Sequence, residues 1–391
     1  MISNLQTESS GSLAGLRIVD FTQVAAGPTC TMMLADRGAD VIKIEGPNGD
    51  LGRMLGPPWV GGHGTVFLSL NRNKRSVMLD LKQPEHLAQA RQLIETADLV
   101  VESFRPGVME RLGLGYTELS KRQAGLIYCS VSAYGQKSPF RLKPGVDGII
   151  QGASGLMSVT GAADGRPAKI QAPIVDMVTG MLATISVLDA LKVRTMTGRG
   201  AWLDISMYEA AIQLQQTGLA GFLANGETPV PCGSAAPYAA PNEAYPTQDG
   251  WLMVAAYQPK RWQAFCGLLG LEALADDARF ASSDLRVHHR PELFEFVAGK
   301  TRQWRTEDLL AAFEREDIIC GPVARYDEVV ASLPFKYAAL TSTFSHPEAG
   351  EIKVIKPLSN GLDGAYRAGP MRPAPLLGEH TLEILAPLLV P

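Results

Sequence analysis

The alternation of apolar and polar positions opens as short β-rich runs separated by helical ones. LRIVDF (16–21), DVIKIE (40–45), RSVMLDL (75–81), DLVVES (98–103) and LIYCSVSA (126–133) are compact aliphatic runs of strand length. A helix opens near Pro28, and PEHLAQARQLIETA (84–97) carries apolar residues at helical spacing behind a proline. This alternation predicts an α/β fold with a parallel, doubly wound sheet and helices on both faces. The segment after the first run, TQVAAGP, contains no GxGxxG, which argues against a nicotinamide dinucleotide site of the usual kind.

From Pro173 to about Arg194 the spacing predicts one long, largely buried helix, with Gly180, Met181, Thr184, Ile185, Leu188 and Leu191 along one side. LDISM (203–207) reads as a further strand and MYEAAIQLQQTGLAGFLAN as a single helix. The character then changes. GETPVPCGSAAPYAAPN (226–242) is rich in Pro, Gly and small residues, as a linker or active-site loop is. AYPTQDGWLMVAA follows as a hairpin around Gln248-Asp249-Gly250, and RWQAFCGLLG, ELFEFVAGKTRQW and TEDLLAAFERED as short helices. The expected organisation is therefore a large domain in 1–225, a small α+β domain in 226–330, and a C-terminal segment, 331–391, containing IKVIKPLSN and PAPLLGEHTLEILAPL.

Composition narrows the function class. Hydrophobic residues make up 46% and charged residues 19% of the chain, enough for a packed core. Lys plus Arg (36) nearly balances Asp plus Glu (40), without the basic excess of a nucleic-acid binder. The polar start MISNLQTESSGSLAG has neither the basic nor the apolar region of a secretory signal, and the apolar stretch Met177–Leu191 is interrupted by Thr179, Gly180, Thr184, Ser186 and Asp189. Five cysteines without a CxxC and six dispersed histidines without an HExxH indicate neither zinc nor a disulfide framework. The expectation is a cytoplasmic enzyme with reduced thiols, no metal, no membrane and no nucleic-acid partner.

Several phrases together resemble the class III CoA-transferase family (formyl-CoA transferase and carnitine CoA-transferase, CaiB/BaiF-like). They include LAGLRIVDFTQVAAGP (13–28), GADVIKIEGPNGD (38–50), ADLVVESFRPGVMERLGLGY (97–116), PGVDGIIQGASGLM (144–157), TGRGAWLDISMYEA (197–210) and PLLGEHT (375–381), in family order along nearly the whole chain. The resemblance implies a Rossmann-like large domain built from both ends of the chain, an inserted small domain and an interlocked homodimer. It also implies coenzyme A or an acyl-CoA as substrate, with no permanently bound cofactor.

Asp176, in QAPIVDMVTG, matches the family's catalytic aspartate. Its place in a helix's first turn predicts an ionised, oriented carboxylate able to attack a thioester, although an Asp there is equally suited to simple capping. The resemblance further places Val24, Ala25, Ala26, Leu79, Ser103, Phe104 and Met207 along the CoA cleft, with Ser103 standing for an asparagine, and puts Arg111 near the CoA phosphates. Gly46 stands where some members carry an arginine, a loss that Lys43, Arg72 or Lys143 is expected to offset. Acyl-CoA racemases of this fold carry a histidine where Val146 stands here, so racemisation is disfavoured. A non-catalytic CoA-ester binder is the other alternative. The loop CGSAAPY (232–238) is similar to the substrate loop of members acting on acids other than oxalate. Gly233, Ser234 and Asn242 are candidates for an acceptor carboxylate, and a small dicarboxylate such as succinate is the preferred acid.

Overall fold

The strand runs of the N-terminal third pair as one parallel sheet. In the structure, a computed structural model describing residues 11–162, 164–358 and 371–388, these strands are β1 (Arg17–Phe21), β2 (Asp40–Glu45), β3 (Arg75–Met78), β4 (Leu99–Glu102), β5 (Ile127–Ser132) and β6 (Trp202–Ser206). Their order is β3-β2-β1-β4-β5-β6, every pairing parallel. The chain builds outward from β1 to β3, then returns to lay β4 on the other side of β1. The carboxyl ends of β1 and β4 therefore flank a topological switch point, where open α/β sheets form their crevice.

Period-2 alternation decides which side chain meets which layer. Val19, Ile42, Val77, Val100 and Tyr128 face one way, packing on Leu93 and Ile94 of α2 (Pro84–Glu95) and on Ile384 and Leu385 near the C-terminus. Ile18, Val41, Leu99, Val101 and Cys129 face the other, against Cys30 and Leu34 of α1 (Ala26–Ala35) and Ala183 and Val187 of a long helix. Before that helix comes the short α3 (Asp147–Ala153); the long helix itself is α4 (Ile174–Thr197), ended by Gly198 in the left-handed conformation. By length and hydropathy α4 could cross a bilayer, yet its Val175, Thr179, Ala183, Thr184, Val187 and Ala190 are buried.

Gly180 sets the approach of α4 to α1. A Cβ there would lie 2.6 Å from Thr29 Cβ and 2.7 Å from the Ala26 carbonyl oxygen. The helix expected over 207–225 is divided in two, α5 (Met207–Leu214) and α6 (Gln216–Asn225). At the break, the Gln215 amide bonds the Ala211 and Ser154 carbonyls, tying the chain to the end of α3.

Two compact units emerge: residues 1–156, 169–227 and 340–391, and residues 157–168 with 228–339. In the second, β7 (Asn242–Pro246), β8 (Trp251–Ala255) and β9 (Ile319–Pro322) form an antiparallel sheet, with Thr247 and Gly250 closing the β7–β8 turn as the hairpin reading anticipates. Tyr245, Leu252 and Val254 pack on Phe265 of α7 (Pro259–Leu269), Val297 of α8 (Arg290–Thr301) and Phe313 of α9 (Thr306–Arg315). The chain then returns to the first unit. IKVIKPLSN opens in the hairpin of β10 (Thr341–His346) and β11 (Gly350–Ile355), its last two residues lying outside the described ones, as does the polar start MISNLQTESS. PLLGEHT caps the outer edge of β3: the backbone N–H of His380 bonds the Ser76 carbonyl, and that of Gly378 the Ser76 hydroxyl.

Gly180→Val is expected to push α4 off α1 and cost about 1–3 kcal/mol, read as a lower urea midpoint; an unchanged midpoint would contradict this contact.

Candidate active site

Beneath the switch point lies a buried ionic network. Asp20, at the end of β1, accepts from the hydroxyls of Thr22 (2.5 Å) and Thr31 (2.7 Å) and pairs with Lys74 (3.0 Å). Lys43 of β2 pairs with Asp50 at 2.7 Å and donates to the Thr22 carbonyl. Glu45 pairs with Arg53 and accepts from the Asp50 backbone N–H and the Ser76 hydroxyl. Burial alone would raise the Asp20 carboxyl, but Lys74 and Lys43 and the two hydroxyls bring it to about 2. Burial likewise draws the Lys74 ammonium down to about 8 against the pull of Asp20.

This network shapes the β1–α1 turn. Val24 has φ of 68°, a left-handed conformation that β-branched residues rarely adopt. Its N–H is held at 3.0 Å by Asp50 Oδ1, which also accepts from Gly52, while the Gln23 N–H bonds the Ser103 hydroxyl across the switch point. The turn then releases directly into α1, whose first-turn N–H groups have no partner within the helix.

A cleft of about 450 Å³ opens at these strand ends, lined by Gln23, Val24, Ala25, Ala26, Ser103, Phe104, Arg105, Val146, Met207 and Asp176 among others. That volume suits a small ligand or part of a larger one. A broader hollow of about 1040 Å³ on the small unit, walled by Trp304, Arg305, Asp308 and Arg315, is shallow and mostly exposed, and it holds no buried nucleophile.

The structure thus brings six of the expected cleft residues, Val24, Ala25, Ala26, Ser103, Phe104 and Met207, together with Asp176. Three others lie apart from its lining. Leu79 is a fully buried core side chain just past β3. Arg111 is exposed, its guanidinium folded over Gly107, and makes no ion pair among the described residues. Lys143 is exposed and rests on the Phe140 ring at 4.7 Å. Two expected substitutes for the arginine missing at Gly46 are ruled out by their partners: Lys43 is buried against Asp50, and Arg72 against Asp36 at 2.5 Å. Neither has a free charge for a ligand.

Asp176 also differs from expectation in charge. The anion at the amino end of α4 is Asp147, whose Oδ2 accepts the N–H groups of Val175 (2.8 Å) and Asp176 (3.3 Å). Denied that stabilisation, half-buried Asp176 has its carboxyl pushed up to about 7, by burial first and then by the neighbouring Asp147. Gln23, Arg105 and Asp147 went unselected in the sequence, although each sits beside or inside a quoted phrase; the rule that ligands gather at strand carboxyl ends points to the first two.

In the small unit, the loop before β7 is tied down from within. Arg290 donates to the carbonyls of Ala236 and Ala239, and Arg286, almost fully buried, to those of Ala240, Phe280 and Tyr257. Ser234 Oγ accepts from the Ala244 N–H at 2.9 Å, which leaves its O–H able to donate. The Gly233 N–H is engaged by Gly161, and the Asn242 carbonyl by Ala236.

Because the folded pKa of Asp176 lies above its unfolded value, the unfolded state gives up this proton first as pH rises. The resulting penalty on stability is absent below about pH 4 and grows up to about pH 7. Asp176→Asn is therefore expected to stabilise the fold on the order of 1 kcal/mol more at pH 8 than at pH 4, measured by urea titration at both; an equal effect at the two pH values would refute the raised pKa.

Comparison with known proteins agrees with this geometry. The profile of CoA-transferase family III matches residues 13–381. Succinyl-CoA:glutarate CoA-transferase of Mus musculus is 34% identical over 98% of this chain and 87% of its own length. Succinate–glutarate CoA-transferase of Agrobacterium fabrum is 35% identical over 96% and 95%, and succinyl-CoA:mesaconate CoA-transferase of Haloarcula hispanica is 33% identical over 96% of both chains. A crystal structure of a CAIB/BAIF family protein from Brucella suis superposes with a TM-score of 0.87 at 32% identity, covering 97% of this chain and all of that one. With a carboxylate nucleophile candidate at the switch point and this similarity along its length, the chain belongs to CoA-transferase family III.

Proposed function

We propose that this enzyme moves coenzyme A from succinyl-CoA to a small carboxylic acid, with Asp176 as the covalent nucleophile. The observation that carries the reading is a half-buried carboxylate, Asp176, in one cleft with the strained Val24 turn and the start of α1. The names of similar proteins, which pair succinyl-CoA with glutarate or mesaconate, support the donor and the class of acceptor.

The chemistry needs only this chain and its two substrates. Asp176 Oδ adds to the thioester carbonyl carbon; the C–S bond breaks, leaving an aspartyl–acyl anhydride and CoA thiolate. The thiolate then attacks the aspartyl carbonyl, releasing the donor acid and leaving an aspartyl-CoA thioester. An acceptor carboxylate reverses both steps. N–H groups of Ala25, Ala26 and Gly27 at the start of α1 are the candidates for stabilising the oxyanions. The exposed cations Arg105, Arg111 and Lys143 are the candidates for the CoA phosphates. Leu79 is buried in the same core cluster as Phe21 and Phe104, which line the cleft.

A racemase-type reaction is disfavoured because it needs bases on both faces of an α-carbon. Among the described residues lining the cleft, Asp176 is the one carboxylate, and Val146 stands exposed where a histidine would serve. A homodimer is supported by exposed apolar side chains on α4 (Met181, Ile185, Val193, Met196) and on α6 (Phe222, Leu223). Five free cysteines support a reducing, cytoplasmic setting.

Intact-protein and peptide mass spectrometry after incubation with succinyl-CoA is expected to find a CoA adduct on the Asp176 peptide, absent in Asp176→Ala, which folds but loses transfer by about 10³-fold or more. Substantial transfer by that variant would remove Asp176 from the nucleophile's role. Arg111→Ala is expected to raise the apparent KM for acyl-CoA about tenfold while sparing kcat; an unchanged KM would take Arg111 out of the phosphate site.

A further inference from the structure

The carboxylate of Asp147 is nearly fully buried, and its bonds are all spoken for. Oδ2 receives the Val175 and Asp176 N–H groups, and Oδ1 receives the Gln151 amide at 2.5 Å. Gln151, itself fully buried, is locked by both the N–H and the carbonyl of Ile170, on the segment leading into α4. This assembly has no role in the reaction steps above, yet it grips the backbone N–H of the nucleophile itself.

We propose that Asp147 is the positioning residue for Asp176, fixing the first turn of α4 and placing a second carboxylate beside the attacking one. The consequence for catalysis rests on the CoA-transfer reading above; the effect on Asp176 rests on geometry alone. An anion at a helix amino terminus normally belongs to the residue that profits from it. Here Asp147 takes that place, so Asp176 must ionise next to a charge and partly out of water, in keeping with its carboxyl being pushed up to about 7.

Two cations lie nearby, Arg105 at the exit of β4 in the same cleft and Lys169, whose ammonium lies by Gly148; the β1–α1 turn contributes uncharged Gln23, and the Asp176 carboxyl stays raised. When Asp176 Oδ bonds to the thioester carbon, the electron pair of the breaking C–S bond leaves with sulfur. One negative charge thereby moves from beside Asp147 to the CoA thiolate, with no proton or oxidant required. Repulsion between the two carboxylates is present in the free enzyme and relieved on acylation, which favours bond formation.

Asp147→Asn removes the charge and keeps an oxygen for the two N–H groups, though it gives up the Gln151 bond, because its NH2 then faces that amide's own donor. In full-length unliganded protein labelled with carboxyl ¹³C-aspartate, and assigned with Asp176→Asn, Asp176 is expected to titrate near 7, and about one unit or more lower in D147N. With succinyl-CoA, rapid-quench mass spectrometry should find the acid limb of adduct formation displaced by the same interval. The plateau rate at pH 8 should fall about tenfold, with apparent KM little changed. An Asp176 midpoint unmoved in D147N overturns the proposal. Asp147→Glu, which keeps the charge on a longer arm, should retain the wild-type midpoint and lose rate; a midpoint falling as far as in D147N, or an undiminished rate, overturns it as well. If D147N fails to fold, the rate of D147E decides. A midpoint that moves as expected in an enzyme that never forms an adduct would uphold Asp147's hold on Asp176 and defeat the CoA-transfer reading instead.

Discussion

The site depends on three carboxylates and three cations buried together under the carboxyl ends of β1 and β2, with Lys74 reaching in from just before β3. Asp20, Glu45 and Asp50 face Lys43, Arg53 and Lys74, within hydrogen-bonding distance of their partners and nearly out of water. Desolvating such charges is unfavourable, so the arrangement survives because each charge has an opposite one at 3.0 Å or less. Losing one member would strand its counterpart in a medium that cannot solvate it. What this constraint secures is the backbone of Val24, held in a conformation it would not choose, by a carboxylate that Lys43 and the Gly52 N–H keep in place. The strain is borne by the network, and the start of α1 is aimed into the cleft as a result.

A second carboxylate pair, Asp147 and Asp176, follows the opposite logic. There the neighbouring carboxylate makes ionisation of Asp176 harder, next to the cleft in which we propose that acylation occurs. One arrangement pairs its charges to hold a strained turn still, and the other leaves the proposed nucleophile where ionisation is unfavourable. A packed core, with Gly180 letting α4 lie against α1, joins the two.

Much of the secondary structure in both units was legible in advance. Aliphatic runs of strand length, a proline-fronted helix at 84–95 and the turn residues around Gly250 carry their structure in local pattern, because period and turn chemistry act over a few residues. Errors fell where distant contacts decide. The helix expected through 225 breaks at Gln215 because its amide finds the Ser154 carbonyl, sixty-one positions away. Lys43 and Arg72 look like free cations in the sequence but are consumed by Asp50 and Asp36. Asp147 passed unnoticed because nothing in PGVDG reveals which helix terminus it will cap.

By itself, then, the sequence determined the strand and helix periods, the parallel α/β class and the motif order that marks the family, and through that resemblance it nominated Asp176 as the proposed nucleophile. Only tertiary structure decided which charges cancel, which helix end each carboxylate serves and, through that, the protonation of Asp176. The physical reason is range. Hydrophobic period and backbone propensity are properties of neighbours along the chain, whereas burial and the Coulomb field at a carboxylate are sums over groups that only the fold brings within a few ångströms.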